Sequence, residues 1–158
     1  MVVAPSLAEM VQAAGGWLFD QVMAGWDVTV LTADHVDSRP LRILGARALD
    51  LEPALASRVR SPRPQAIALA ADLYESDPVI RRRALRIVRT GEADLRLWGG
   101  RWPARPDGEV AATQHRLSMA ARAFKAQALA ATAAAPADSG AATETFRTGE
   151  LLLASKSA

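Results

Sequence analysis

The sequence predicts one α/β domain in which a mainly parallel sheet is covered by helices. Three observations carry that expectation. Short apolar runs of strand length alternate with segments of helical period along the first two thirds of the chain. Half of the 158 residues are hydrophobic, enough for one core in a chain of ordinary domain length. Cysteine is absent, so neither disulfides nor thiolate ligands substitute for that core.

The first helix is predicted from Ser6-Leu7-Ala8-Glu9, which has capping-box spacing. Behind it Leu7, Val11, Ala14, Leu18 and Val22 recur at helical spacing, and Gly25 closes the pattern. Gly15-Gly16 conflicts with it, at roughly 1 kcal/mol per glycine against alanine. Either another backbone packs closely there or the helix breaks. Trp26 to Ala33 (WDVTVLTA) reads as a buried strand. Leu41 to Leu44 reads as a short strand, with helix as the alternative. Asp50 to Val59 reads as a short helix, and Ser61-Pro62-Arg63-Pro64 as a break.

Gln65 to Ala71 (QAIALAA) is the next strand. The helix after it is the best marked in the chain. Ser76 is expected at its N-cap, Pro78 lies in the first turn, Ile80, Ala84, Ile87 and Val88 form the inward stripe, and Thr90-Gly91 ends it. Ala93 to Trp98 (ADLRLW) is a further strand. Residues from about Asp107 to Ala134 read as one long helix with Leu117, Ala121, Phe124 and Ala128 as its seam, stopped by Pro136. The composition beyond is that of a flexible tail. The expected architecture is thus a small three-layer, Rossmann-like domain with three to four strands over residues 1–135, and a tail over 136–158.

Composition bounds the function. No apolar run approaches the roughly 18 residues of a membrane span. Met1 to Pro5 lacks the basic and apolar regions of a secretory signal. A cytoplasmic address is the simplest. Arginine replaces lysine almost everywhere and alanine is abundant, the coding signature of a GC-rich bacterial genome. Charge is unevenly spread. Residues 1–52 carry three arginines against seven acids, a net of −4, and residues 53–106 carry eleven arginines against five acids, a net of +6. An electrostatic partner is therefore expected at the middle third.

Ligands of open parallel sheets bind beyond the carboxyl ends of the strands. That rule collects Asp34 and His35 after the first strand, Asp72 after the second and Arg101 after the third. The plainer reading makes them polar loop residues and helix caps. No GxGxxG or GxxxxGK[ST] occurs, which argues against a phosphate-loop nucleotidase. His35 and His115 are the only histidines, and neither a GxSxG elbow nor an HExxH pattern accompanies them, so serine-triad and zinc chemistry are disfavoured. On the long helix His115 reads as a solvated face residue. No cofactor and no metal site is implied.

Arg82, Arg86 and Arg89 form one ridge opposite the Ile80/Ala84 stripe. Guanidinium groups so arranged suit phosphates, RNA backbone or an acidic protein surface, and otherwise simply solvate a helix face. Trp98-Gly99-Gly100-Arg101-Trp102-Pro103 brackets a glycine pair with tryptophans, which either act as interaction anchors or cover the sheet edge.

Two local resemblances accompany this reading. Ala24 to Thr32 (AGWDVTVLT) resembles the opening helix-to-strand step of Rossmann-like proteins, some glycosyltransferases among them, over nine residues. The crossover from Pro78 to Trp98 is similar in topology to RecA-type folds without a phosphate loop, as found in cell-division inhibitors and DNA-repair accessory proteins. Neither brings a motif that transfers an activity. The leading expectation is a non-catalytic interaction or regulatory domain that binds a protein partner or a second copy of itself through Trp98, Trp102 and the arginine ridge. Alternatives are a small enzyme or ligand-binding domain using Asp34, His35, Asp72 and Arg101, and a nucleic-acid-associated accessory protein.

Overall fold

A computed structural model describes residues 1–33, 37–56, 63–100, 112–132 and 141–148. Their elements follow in the order β1 (Val2–Ala4), α1 (Leu7–Met23), β2 (Thr29–Thr32), α2 (Arg39–Leu44), β3 (Arg47–Asp50), α3 (Leu51–Ala56) and β4 (Ala66–Ala70). Then come α4 (Ala71–Ser76), α5 (Pro78–Thr90), β5 (Asp94–Trp98), β6 (Ala112–Arg116), α6 (Met119–Ala130) and β7 (Thr143–Thr148). The strands form one sheet in the order β3-β2-β1-β4-β5-β7-β6. The pairs from β3 through β5 are parallel, and β7 runs antiparallel to both β5 and β6. The chain returns from β3 across β1 to β4, so the strand order reverses between β1 and β4.

Alternation along the strands feeds two cores. Val2 and Ala4, Val30, Ala68 and Ala70, Trp98 and Phe146 face the layer of α1, α2 and α6. Val3, Leu31, Ile67 and Leu69, Leu95 and Leu97 face the opposite layer, where Leu51, Ile80 and Ala84 of α3 and α5 meet them. The domain is α/β and Rossmann-like, as the alternation of strand and helix patterns predicts.

Seven strands replace the expected three or four. Val2–Ala4 is only three residues long, yet it sits inside the sheet between β2 and β4. Arg47–Asp50 forms an exposed edge strand with no apolar signature of its own. Leu41 to Leu44 is helical. Pro40 enters the first turn, Leu41 and Leu44 are buried three residues apart, and Gly45 closes the helix at φ +79°.

The expected long helix divides at Ser118. Residues 112–116 are strand, and Ser118 caps α6 by accepting from the Ala121 amide at 3.0 Å. Leu117 of the expected seam therefore precedes the helix, and Phe124 is half exposed, stacked on Phe19 with centroids 4.6 Å apart. Thr143–Thr148, placed by composition in the tail, supplies β7 with Glu144 and Phe146 buried. Asp77, not Ser76, caps α5: its Oδ1 accepts from the amides of Val79 and Ile80 at 2.7 and 3.1 Å.

Helix α1 is unbroken through Gly15-Gly16. A Cβ on Gly16 would lie 2.6 Å from both Leu117 methyls. The helix does not break, and the space a side chain would take is filled by the Leu117 side chain and not by another backbone.

Candidate functional site

Of the residues predicted beyond the strand ends, Asp34, His35 and Arg101 lie outside the described residues. Asp72 stands exposed in the first turn of α4, where its carbonyl accepts from the Ser76 hydroxyl at 2.7 Å. Trp102 also lies outside the described residues. Trp98 is buried, 4% exposed, in the α1-side core. Its ring packs the sheet and is no surface anchor. The indole Nε1 finds no acceptor among the described residues. Gly99 and Gly100 follow it with φ of +70° and +77°, a backbone that side chains resist.

The arginines of α5 divide by function. Ile80 and Ala84 anchor the helix to the sheet. Arg81 and Arg83 reach the carbonyls of Glu75 and Leu55, so both hold the helix to its neighbours. Arg82, Arg86 and Arg89 stand exposed. Arg86 meets Glu92 at 4.0 Å, while Arg82 and Arg89 have no hydrogen-bond or ion-pair partner among the described residues. These two arginines lie seven positions apart on the helix, about 10 Å along its axis.

Two polar clusters escape the sequence reading. In the first, Lys125 and Glu144 are buried, 1% and 4% exposed, and paired at 2.7 Å. Lys125 Nζ also donates to the Gln12 carbonyl at 2.7 Å. The Glu144 carboxylate accepts from the amides of Gly16 at 2.9 Å and Trp17 at 2.7 Å. Gln12 and Gly16 are the two ends of one rung of the α1 ladder, and the ion pair bonds both. A signal for it exists: Lys125 falls four residues after Ala121 and three before Ala128, on the buried seam.

In the second, His115 lies on β6 and not on a helix. Its Nε2 is 2.8 Å from Asp20 Oδ2. Asp20 also accepts from the Ser118 hydroxyl at 2.6 Å and the Ser118 amide at 3.2 Å. Burial alone would raise the Asp20 pKa, but the bonds from Ser118 and His115 together hold it below its usual value. The group is therefore a carboxylate at neutral pH, acceptor only, and His115 must donate through Nε2–H. Nδ1 has no hydrogen-bond partner among the described residues. The order is not that of a serine triad, because the carboxylate and not the imidazole stands in the middle. The Ser118 hydroxyl donates to Asp20 and accepts from Ala121, so it is committed to capping.

Among the described residues no group of three His, Cys, Asp or Glu side chains is placed to hold a metal ion. No helix among them is long and apolar enough to cross a membrane. No family model, curated protein or solved structure matches the chain.

Proposed function

We propose that this is a non-catalytic interaction or regulatory domain of the bacterial cytoplasm, which offers the exposed face of α5 to an acidic surface on a protein partner. One observation carries the reading: Arg82 and Arg89 stand exposed and, among the described residues, unpaired on the ridge that also holds Arg86, while the neighbouring Arg81 and Arg83 are committed to backbone carbonyls. Guanidinium forks left open on a helix anchored to the sheet match carboxylates bidentately. A nucleic-acid partner is less well served. Three cations release few counterions, and no exposed aromatic on α5 accompanies them for stacking.

The test is fluorescence anisotropy with a labelled acidic peptide, oligo-glutamate, alongside a duplex DNA of equal charge at low salt. The full chain is expected to favour the peptide, and alanine at Arg82, Arg86 and Arg89 to weaken it at least about tenfold. Tighter binding of the DNA than of the peptide would transfer the reading to nucleic acid.

A small-molecule site at the strand ends is the second reading, supported by the Trp98 indole N–H at the carboxyl end of β5, which has no acceptor among the described residues. A nucleotide probe such as ATP that protects the chain against thermal unfolding, with the protection lost in Trp98→Phe, would favour it.

A further inference from the structure

Beyond the α5 surface, the geometry points to His115 as a phosphoryl acceptor: Asp20 holds its Nε2–H, and Nδ1 is presented as the nucleophile. The imidazole is partly open, its side chain 27% exposed against 17% for Asp20. It sits on β6, which among the described residues pairs only with β7, at the end of the strand order.

The dyad supplies what the chemistry requires. With the Nε2 proton fixed toward Asp20, the neutral ring has its lone pair on Nδ1. That pair attacks the phosphorus of an acyl phosphate or phosphoramidate. The N–P bond forms, the P–O or P–N bond of the donor breaks, and its electron pair leaves with the donor's carboxylate oxygen or amine nitrogen. Any proton taken up by the amine comes from solvent. The Nε2 proton stays on the ring, and the Asp20 carboxylate balances the positive charge the ring acquires. Arg122, exposed one helical turn along α6 from Ser118 and without an ion-pair partner among the described residues, is the guanidinium we assign to the phosphoryl oxygens. An acyl or alkyl group would have no use for that guanidinium. Ser118 is not the acceptor, because its hydroxyl is committed in both directions.

The test uses the full chain with acetyl phosphate, and separately with phosphoramidate, followed by intact mass and ³¹P NMR. His35 is the only other histidine and serves as an internal control. One acid-labile phosphoryl group is expected on His115, as the Nδ1 isomer, retained in His35→Gln and lost in His115→Asn. Asp20 is a positioning residue. Asp20→Asn, checked for native circular dichroism, is expected to slow labelling about tenfold or more and to yield both ring isomers. A purely structural tether between α1 and α6 would not change the isomer. No adduct with either donor, an adduct on His35, an Nε2 isomer in the native chain, or an Asp20→Asn variant unchanged in both rate and isomer would each overturn the assignment.

Discussion

The α5 ridge and the Lys125–Glu144 pair use the same charges in opposite ways. On α5, guanidinium groups stand in water, two of them without partners among the described residues, and the helix is held by Ile80, Ala84 and the two arginines that reach backbone carbonyls. Under α1, one ammonium and one carboxylate are withdrawn from water, and both bond to backbone groups of the same helical rung. Exposed charge costs almost nothing to leave unpaired, whereas buried charge is tolerated only when paired and hydrogen-bonded. Charge that is open and cheap is available to a partner; charge that is closed and costly belongs to the fold.

The largest effect is expected where the closed pair is broken. Lys125→Met leaves the Glu144 carboxylate buried without its counterion and should cost about 3–5 kcal/mol. Chemical denaturation would measure it, and a midpoint close to the native one would contradict the description of the pair as a satisfied unit. Next come the two glycines beneath it. Gly16→Ala drives a methyl into Leu117 and should destabilise by about 1–3 kcal/mol, despite the better helix propensity of alanine. At Gly15 the nearest atoms to an added Cβ are Val11 Cγ1 at 3.2 Å and Leu44 Cδ1 at 3.6 Å. Gly15→Ala should therefore lie within about 1 kcal/mol of the native chain. Equal costs at the two positions would remove the close approach as the reason for the pair.

Asp20 is expected to give a smaller, pH-dependent effect. Its folded pKa is lowered, so its contribution is present above the ordinary carboxylate value and is lost as pH falls through the lowered one. Asp20→Asn should accordingly shrink the stability gap between neutral and strongly acidic solution, and an unchanged gap would count against the Ser118 and His115 bonds as its source. The least effect on stability belongs to α5. Removing Arg82, Arg86 and Arg89 together should shift it by no more than about 1 kcal/mol.

The same contrast explains what the sequence reveals. Apolar runs and caps act locally, so the β2, β4 and β5 strands, the α5 helix and its inward stripe are legible from residue order. Elements defined by neighbours are not. Val2–Ala4 is too short to show a period, and Arg47–Asp50 is exposed along its whole length. Alanine hides the boundary at Ser118, since the residues on both sides favour helix by propensity while β7 pulls 112–116 into the sheet. In Thr143–Thr148 the alternation of buried Glu144 and Phe146 with polar residues is a strand signal, masked by the Ala, Ser and Thr content around it. His115 follows the same error: once its segment is read as helix, nothing points it at Asp20, 95 residues away. The α5 ridge was visible because a helix sorts its own faces, but only the structure separates Arg81 and Arg83 from the arginines left open.

The most direct test measures two quantities on one variant, the chain with alanine at Arg82, Arg86 and Arg89: its denaturation midpoint and its affinity for an acidic peptide. A surface reserved for a partner predicts a midpoint close to the native one together with binding weakened at least about tenfold. A large loss of stability, or peptide binding that survives unchanged, would contradict it.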